Sequence, residues 1–273
     1  VNLAREIGRL PAPLTLAIIQ VGDNPASTAY VKQKKLFGEK IGALVKHYPL
    51  PSSTTEGEIS KLIGILNESK HHHGIILQLP LPSQLNTAAL IEQILPSKDV
   101  DGLTAANIKW LWSGEINRPS GSISGLLPAT TRGVITLLDY YKIPLAGKKV
   151  TVIGRSNLVG KPIALALLNR GATVTICHRG TVDLAVHTKS AEIIIVATGQ
   201  PQLLKTELLT IGAGQVVVDV GISRDDDDRL IGDVDFTPIE SIVAAISPVP
   251  GGVGPLTVLS LFANLLDTTK SLY

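Results

Sequence analysis

Residues 149–162, Lys-Val-Thr-Val-Ile-Gly-Arg-Ser-Asn-Leu-Val-Gly-Lys-Pro, constrain the fold more than any other stretch of the chain. Val150, Val152 and Ile153 form a short β-branched run, Gly154 permits a sharp exit from it, and Pro162 suits the first turn of a helix. A strand, a tight turn and a helix start in that order have the shape of a nucleotide-binding βα unit. There, backbone N–H groups and a helix N-terminus face a diphosphate. The spacing departs from the usual glycine fingerprint. Ser156 stands where a second glycine is expected, and Gly160 comes one residue after the expected third. Taken alone, the stretch is also compatible with an ordinary βα turn of an α/β protein.

The next residues extend the pattern. A helix-like run over 163–168 and a stop at Gly171 lead into a second strand, 172–177, which ends in His178-Arg179. An NAD enzyme usually carries Asp or Glu here to accept from the ribose 2′-hydroxyl. The position is basic instead, and Arg179 with Arg155 of the turn suits a 2′-phosphate, so NADP is expected over NAD. Two solvated loop arginines are the alternative. Strands are also expected at 193–197, followed by Thr198-Gly199, and at 216–220, followed by Gly221 and Ile222. Both end in small residues at the carboxyl edge, where a parallel sheet meets its ligand. Candidate cofactor residues are therefore Gly154, Arg155, Ser156, Val159, Gly160, His178, Arg179, Thr198, Gly199, Gly221 and Ile222.

A chain of 273 residues is long enough for two modest domains. Its hydrophobic content of 44% and mean hydropathy of +0.28 supply a real core. Aromatics are only 4%, and the apolar mass is Ile, Leu, Val and Ala in short runs, as in parallel sheets buried on both faces. A net charge of +2, with no basic run beyond Lys34-Lys35, gives no electrostatic case for nucleic acid. No apolar stretch approaches bilayer length, so no membrane role is expected. The single Cys177 excludes an internal disulfide and a cysteine-rich zinc site, and fits a reducing, cytoplasmic setting. Arg5, Glu6, Arg9 and Pro11 break any secretory pattern. Residues 1–10 read like the back half of a helix in a chain without methionine, so further natural sequence is expected before Val1.

In the first half, residues 14–21 read as a strand that ends in the turn cluster Gly22-Asp23-Asn24-Pro25, after which Ser27 is the expected cap of a helix to about Ile41. Tyr30, Lys34, Phe37 and Ile41 share one face of that helix. A lysine on an otherwise apolar and aromatic stripe either snorkels to water or is buried. A buried ammonium is disfavoured, and its pKa falls toward the range useful for proton transfer. A strand over 43–49 and a helix over 55–66 follow. The tract His71-His72-His73 is expected as a solvated helix end, because three adjacent histidines in regular structure do not converge on a metal.

In Gly74-Ile-Ile-Leu-Gln-Leu-Pro-Leu-Pro82, Gln78 is the one polar side chain of an apparent core strand, so it needs a partner. The Lys34 head is a chemically sensible one. After a helix expected at 86–94, Asp99 and Asp101 precede Gly102. They fit either a plain Asx turn or a carboxylate aimed at a ligand edge with two donors. Residues 103–127 read as an irregular crossover, and 128–141 as a helix. Asp225 to Asp228 are expected in a hairpin loop. In the segment from Ser247 to Thr257, glycines allow close backbone approach to a ligand while prolines stiffen the loop. A closing helix over 256–266 is expected to pack back on the first domain.

Together these stretches resemble the bifunctional methylenetetrahydrofolate dehydrogenase/methenyltetrahydrofolate cyclohydrolase family. The resemblance runs in order through Val21-Gly-Asp-Asn-Pro-Ala-Ser27, Tyr30-Val-Lys-Gln-Lys34, Gln78-Leu-Pro-Leu-Pro82, Asp99-Val-Asp-Gly102, Gly154-Arg-Ser156 with Val159-Gly160-Lys-Pro162, and Pro248-Val-Pro-Gly-Gly-Val-Gly-Pro255. It implies an α/β fold of two domains: a catalytic, folate-binding domain over 1–125 plus 256–273, and a Rossmann-type NADP domain over 126–255. Folate would lie in the cleft between them, and the assembly would be a homodimer. It also implies that Lys34 is catalytic, that Gln78 tunes it, that Tyr30 stacks on the folate and that Asp101 holds the pterin. Leu79, Pro80, Pro250, Gly251, Gly252, Gly254 and Thr257 are the further substrate-binding candidates, and no metal is expected.

The implied reactions are oxidation of 5,10-methylene-tetrahydrofolate and hydrolysis of the methenyl product to 10-formyl-tetrahydrofolate. A dehydrogenase with weak or lost cyclohydrolase and a non-catalytic NADP-binding protein are the alternatives. Four departures from the family pattern stand out. The usual Pro-Cys-Thr-Pro is Pro128-Ala-Thr-Thr131, Asn-x-Gly-x-Leu is Asn107-Ile-Lys-Trp-Leu111, Gly-Pro-Met-Thr is Gly254-Pro-Leu-Thr257, and a lysine common two residues after the catalytic one is Leu36. Leu36 and Lys109 are the two expected to bear on folate affinity or on the balance of the activities.

Overall fold

In the computed structural model, which describes residues 3–114 and 125–270, the chain divides into two units: Val1–Ala129 with Val258–Tyr273, and Thr130–Thr257. The first unit contains α1 (Leu3–Ile7), β1 (Thr15–Val21), α2 (Pro25–Ile41), β2 (Leu44–Leu50), α3 (Glu56–Glu68), β3 (Gly74–Leu77), α4 (Thr87–Ile91) and α5 (Ala105–Ser113). Its strands run β2-β1-β3, both neighbours parallel to β1. All of β1 is buried. Its alternating side chains feed two clusters: Leu16 and Ile18 join Val31 of α2, while Ala17, Ile19 and Val21 join Ile59, Ile63 and Leu66 of α3.

Local chemistry sets the boundaries, and in four places it differs from the sequence expectation. Asn24, not Ser27, caps α2. Its Oδ1 accepts from the Ser27 amide at 3.1 Å, and Pro25 opens the helix. Ser27 is instead buried, and its hydroxyl donates to the Leu79 carbonyl at 3.3 Å. The histidine tract lies beyond α3 and is not uniformly solvated. His72 is buried between the Tyr48 hydroxyl (3.0 Å) and the Ser69 hydroxyl (2.8 Å), and His73 Nδ1 accepts from the Thr15 amide at 3.1 Å. Imidazole nitrogens satisfy buried donors and acceptors that a count of polar residues treats as solvated. The helix expected to reach Ile94 ends at Ile91 and continues as turns.

The fourth difference is α5, in a region read as irregular. Its polar and aromatic mixture hides the helical stripe, but Gly114 closes it in the left-handed conformation. Buried Asn107 ties it down by donating to Pro96 O and Asp99 Oδ2 and accepting from the Leu126 amide. The Ser/Gly stretch expected over 120–125 lies, except for Gly125, outside the described residues.

The second unit begins within α6 (Ala129–Tyr140) and continues through β4 (Lys149–Ile153), α7 (Gly160–Asn169), β5 (Thr173–Cys177), α8 (Leu184–Ser190), β6 (Ile193–Val196), β7 (Val216–Asp219), β8 (Ser223–Arg224), β9 (Leu230–Ile231), α9 (Phe236–Glu240) and β10 (Ala245–Ile246). Its parallel sheet has the order β10-β7-β6-β4-β5. The chain runs outward from β4 to β5, then crosses to β6 on the other side of β4. That reversal is the topological switch point, where open α/β sheets bind ligands at their carboxyl edge. Asp225 to Asp228 turn the β8–β9 hairpin, as expected.

The last helix, α10 (Val253–Lys270), belongs to the first unit from Val258 onward. Val258, Leu261, Phe262, Leu265 and Leu266 fill the cluster beneath α2, and the Phe37 and Phe262 ring centroids lie 5.3 Å apart. Asn264 Nδ2 donates to the Val100 and Leu127 carbonyls, 2.8 Å each. Among the described residues, no helix is long and apolar enough to cross a membrane.

Candidate active site

α2 presents half-buried Tyr30 one turn before Lys34, on the face that packs toward the core. Lys34 is only 7% exposed. Its head does not reach water along a packed stem: Nζ donates to Gln78 Oε1 at 2.8 Å. Gln78 sits just past the end of β3 rather than inside the strand, with its amide N–H bonded to Ile19 O at 2.8 Å. Its Nε2 donates to the Leu79 carbonyl at 2.9 Å, so the amide can turn only its oxygen to the lysine. Burial pushes the Lys34 ammonium below the ordinary lysine range, and the nearby Asp101 carboxylate pulls it partly back.

The two aspartates divide the roles that the sequence left open. Asp99 makes the turn: Oδ1 accepts from the Gly102 amide at 3.0 Å, and Oδ2 from the Thr104 amide at 2.7 Å and Asn107 Nδ2 at 2.9 Å. Asp101 takes no part in that network. Its carboxyl is pushed up to about 6, by burial first, with the Lys34 charge opposing and the Asp99 charge adding. Lys34, Gln78 and Asp101 thus form one group in which burial lowers the pKa of an amine and raises that of a carboxyl.

The raised Asp101 value has a stability consequence. The folded value, about 6, lies above the ordinary 3.8. Ionising this carboxyl therefore costs folding free energy: the favourable contribution is complete below pH 3.8 and is lost as pH rises through about 6. The interval corresponds to at most about 3 kcal/mol. Asp101→Asn removes that cost, so its melting temperature should exceed that of the unsubstituted protein at pH 8 and differ little at pH 4. Thermal denaturation at the two pH values checks this. Equal shifts at both would show that Asp101 carries no such cost.

In the second unit, the turn after β4 is built around Gly154, which is buried at φ +125°. A Cβ there would collide with the Ala197 carbonyl at the end of β6, and one at Gly160 would collide with Gly154 O. β4, β6 and the start of α7 therefore meet backbone to backbone at the switch point. Ser156, in the place of the expected second glycine, accepts through Oγ from the Val159 and Gly160 amides at 3.1 and 3.3 Å and so shapes the helix entrance. Arg155 is exposed in the same turn. At the end of β5, His178 Nδ1 accepts from the Gly180 amide at 3.0 Å. The exposed Arg179 donates through Nη2 and Nε to the Gln200 amide oxygen at 2.9 and 3.1 Å when that amide is turned to face it. Thr198, Gly199, Gly221 and Ile222 follow β6 and β7 at the same edge, and Ile222 is 39% exposed.

Both halves of the chain match known family models. Residues 2–101 match the catalytic domain of tetrahydrofolate dehydrogenase/cyclohydrolase, and residues 128–273 match its NAD(P)-binding domain. The chain belongs to the tetrahydrofolate dehydrogenase/cyclohydrolase family. It is 42% identical to the bifunctional protein FolD of Nautilia profundicola over 99% of this chain and 93% of that one, and 46% identical to that of Lactobacillus helveticus over 93% and 86%. Among solved structures it is similar to the bifunctional FolD enzyme of Campylobacter jejuni, with a TM-score of 0.93 and 42% identity over 99% of this chain and 94% of that one. The Trypanosoma brucei enzyme, solved with NADP cofactor and inhibitor, aligns with a TM-score of 0.91 and 33% identity over 99% and 93%.

Within this family frame, the candidates fall into two sets. Tyr30, Lys34, Gln78, Leu79, Pro80 and Asp101 lie in the first unit, and Leu79–Pro80 is a cis peptide. Pro250, Gly251, Gly252, Gly254 and Thr257 lie in the second, around the cis Val249–Pro250 bond and the first turn of α10. Sequence reading passed over two buried carboxylates in the second unit, Asp219 and Asp233. The available signal was an aspartate before a glycine at a strand end, Asp219-Val-Gly221, and the later Gly232-Asp233.

Proposed function

We propose that this protein oxidises 5,10-methylene-tetrahydrofolate to the methenyl form with NADP and hydrolyses the methenyl form to 10-formyl-tetrahydrofolate. The observation that carries the reading is the desolvated Lys34 amine held by Gln78 at 2.8 Å beside Asp101. Cofactor binding alone has no use for that group. Hydrolysis needs it and releases one proton overall. Water adds to the cationic methenyl carbon and loses a proton to the free amine of Lys34. The resulting hydroxyl loses its own proton to solvent as the carbonyl forms, and the Lys34 ammonium gives its proton to the pterin nitrogen as the C–N bond opens. Gln78 fixes the amine by accepting one of its N–H bonds, which leaves the nitrogen lone pair for the water. Asp101 accepts from the donor edge of the pterin, and Tyr30 stacks on the folate. Leu79, Pro80, Pro250, Gly251, Gly252, Gly254 and Thr257 supply the surrounding contacts.

The second unit suits NADP on structural grounds. The glycine turn at the switch point has no room for side chains, α7 begins directly behind it, and two exposed arginines, Arg155 and Arg179, flank the edge where a 2′-phosphate is read. NADP, when bound, supplies the hydride acceptor. The chain's own part in that step is to orient the one-carbon bridge and exclude water, since no proton leaves the carbon. The same reading places the protein in the cytoplasm, on its lone cysteine, and in a homodimer, the assembly that the family resemblance implies.

The test mixes purified protein with 5,10-methylene-tetrahydrofolate and NADP or NAD, following reduced nicotinamide and methenyl-folate together. NADP-dependent reduction with little methenyl accumulating, and direct hydrolysis of added methenyl substrate, is the expected result. Reduction with methenyl piling up would remove the hydrolase from the assignment. No reduction with either cofactor would remove the dehydrogenase.

A further inference from the structure

Two buried carboxylates tie together three loops at the carboxyl edge of the second unit's sheet. Asp233, which follows β9, reaches the turn after β6: Oδ2 accepts from the Thr198 amide at 2.6 Å, the Thr198 hydroxyl at 2.8 Å and the Gly199 amide at 2.9 Å. Asp219, the last residue of β7, holds the next turn and the Asp233 strand together. Its Oδ1 accepts from the Gly221 amide at 2.9 Å and the Asp233 amide at 3.1 Å, and its Oδ2 from the Val234 amide at 2.9 Å. The Asp219 amide in turn donates to the Ser247 hydroxyl at 2.8 Å, where the Pro-Gly loop begins.

The packing is reciprocal. A Cβ on Gly221 would collide with the Asp233 carboxylate, and a Cβ on Gly232 would collide with that of Asp219. Each carboxylate occupies the side-chain space of a glycine on the other's segment. Asp233 and Asp219 are 0% and 3% exposed, and Asp233 Oδ1, turned toward Gly221, has no hydrogen-bond partner among the described residues. An unpartnered buried carboxylate oxygen is costly, so its retention needs a reason, and neither an apolar group nor an amide NH₂ could accept from the Thr198 and Gly199 donors. What only a carboxylate provides at this spot is one oxygen able to collect three donors from a single turn.

We infer that Asp233, braced by Asp219, is a positioning residue of the dehydrogenase, fixing the Thr198-Gly199 and Gly221 turns in the shape that binds the dinucleotide. Neither carboxylate needs to touch the cofactor. Asp233 sets which way the Thr198 and Gly199 backbone faces, and Asp219 sets the Gly221 backbone and the close approach of Gly221 to Asp233. The inference rests on the NADP reading above.

Asp233→Asn keeps the shape but leaves either an amide NH₂ facing the Thr198 and Gly199 donors or a buried NH₂ without an acceptor. NADP affinity is read by titration of nucleotide binding, alongside both activities and thermal melting. The NADP Kd and the KM for NADP should rise about 10-fold or more, while kcat for hydrolysis of added methenyl-folate, which consumes no nucleotide, stays within about 3-fold. Equal loss of both activities, or an unchanged NADP Kd in a folded variant, overturns the inference. If Asp233→Asn does not fold, Ser247→Ala removes a single hydroxyl from the same hub. It should still raise the NADP Kd with hydrolysis intact, and an unchanged Kd there overturns the inference too. Failure of the unsubstituted protein to bind NADP would instead overturn the cofactor reading on which this one stands.

Discussion

Lys34→Gln should abolish hydrolysis of methenyl-tetrahydrofolate, lowering its kcat by about 10²- to 10⁴-fold, the range general acid–base catalysis commonly supplies. The substitution is safe for the fold. The residue it replaces is 7% exposed and burial disfavours its charged form, so a neutral amide at the site adds no buried charge. Glutamine also still donates toward Gln78 Oε1. What it lacks is a nitrogen that titrates. Oxidation of the methylene form moves a hydride from carbon and no proton, so the dehydrogenase should fall far less, within about 10-fold, and methenyl product should accumulate. Stopped-time assays of both reactions on one preparation check the split. Parallel losses in the two activities would mean that Lys34 serves folate binding rather than proton transfer.

That group of residues was legible in the sequence because burial and chemistry conflict there. A lysine on an apolar helical stripe and a glutamine in an apolar run each need explaining, and pairing them resolves both, as the 2.8 Å hydrogen bond does. The βα turn was legible for a similar reason, since a β-branched run broken by Gly154 has few other uses. The short polar and aromatic helix α5 was not, because its buried face rests on Asn107 and Leu111 rather than on a periodic apolar stripe. The histidine tract was misjudged because single-residue polarity says nothing about a backbone amide waiting at the start of β1. Asp219 and Asp233 stayed hidden for the same physical reason. Their partners are backbone amides from segments distant in sequence, and backbone donors carry no residue signature.

Gly154→Ala should be the most damaging single methyl in the second unit. Two costs combine. The backbone sits at φ +125°, which side-chain-bearing residues rarely adopt, and the added Cβ would drive into the Ala197 carbonyl, which belongs to backbone and cannot swing aside. The expected loss is roughly 2–5 kcal/mol, from strain plus overpacking. Because the collision lies where β4, β6 and α7 converge, any relief moves the turn that faces the dinucleotide. NADP should therefore cease to saturate at concentrations that saturate the unsubstituted protein. Gly199→Ala separates the two costs: Gly199 also has a positive φ, +65°, but nothing lies within 4 Å of a Cβ built there. It should cost only about 1 kcal/mol, as a residue in the left-handed region does. Chemical denaturation of the two variants ranks them. If Gly199→Ala proves as destabilising as Gly154→Ala, backbone conformation rather than contact with β6 is what demands glycine at the switch point.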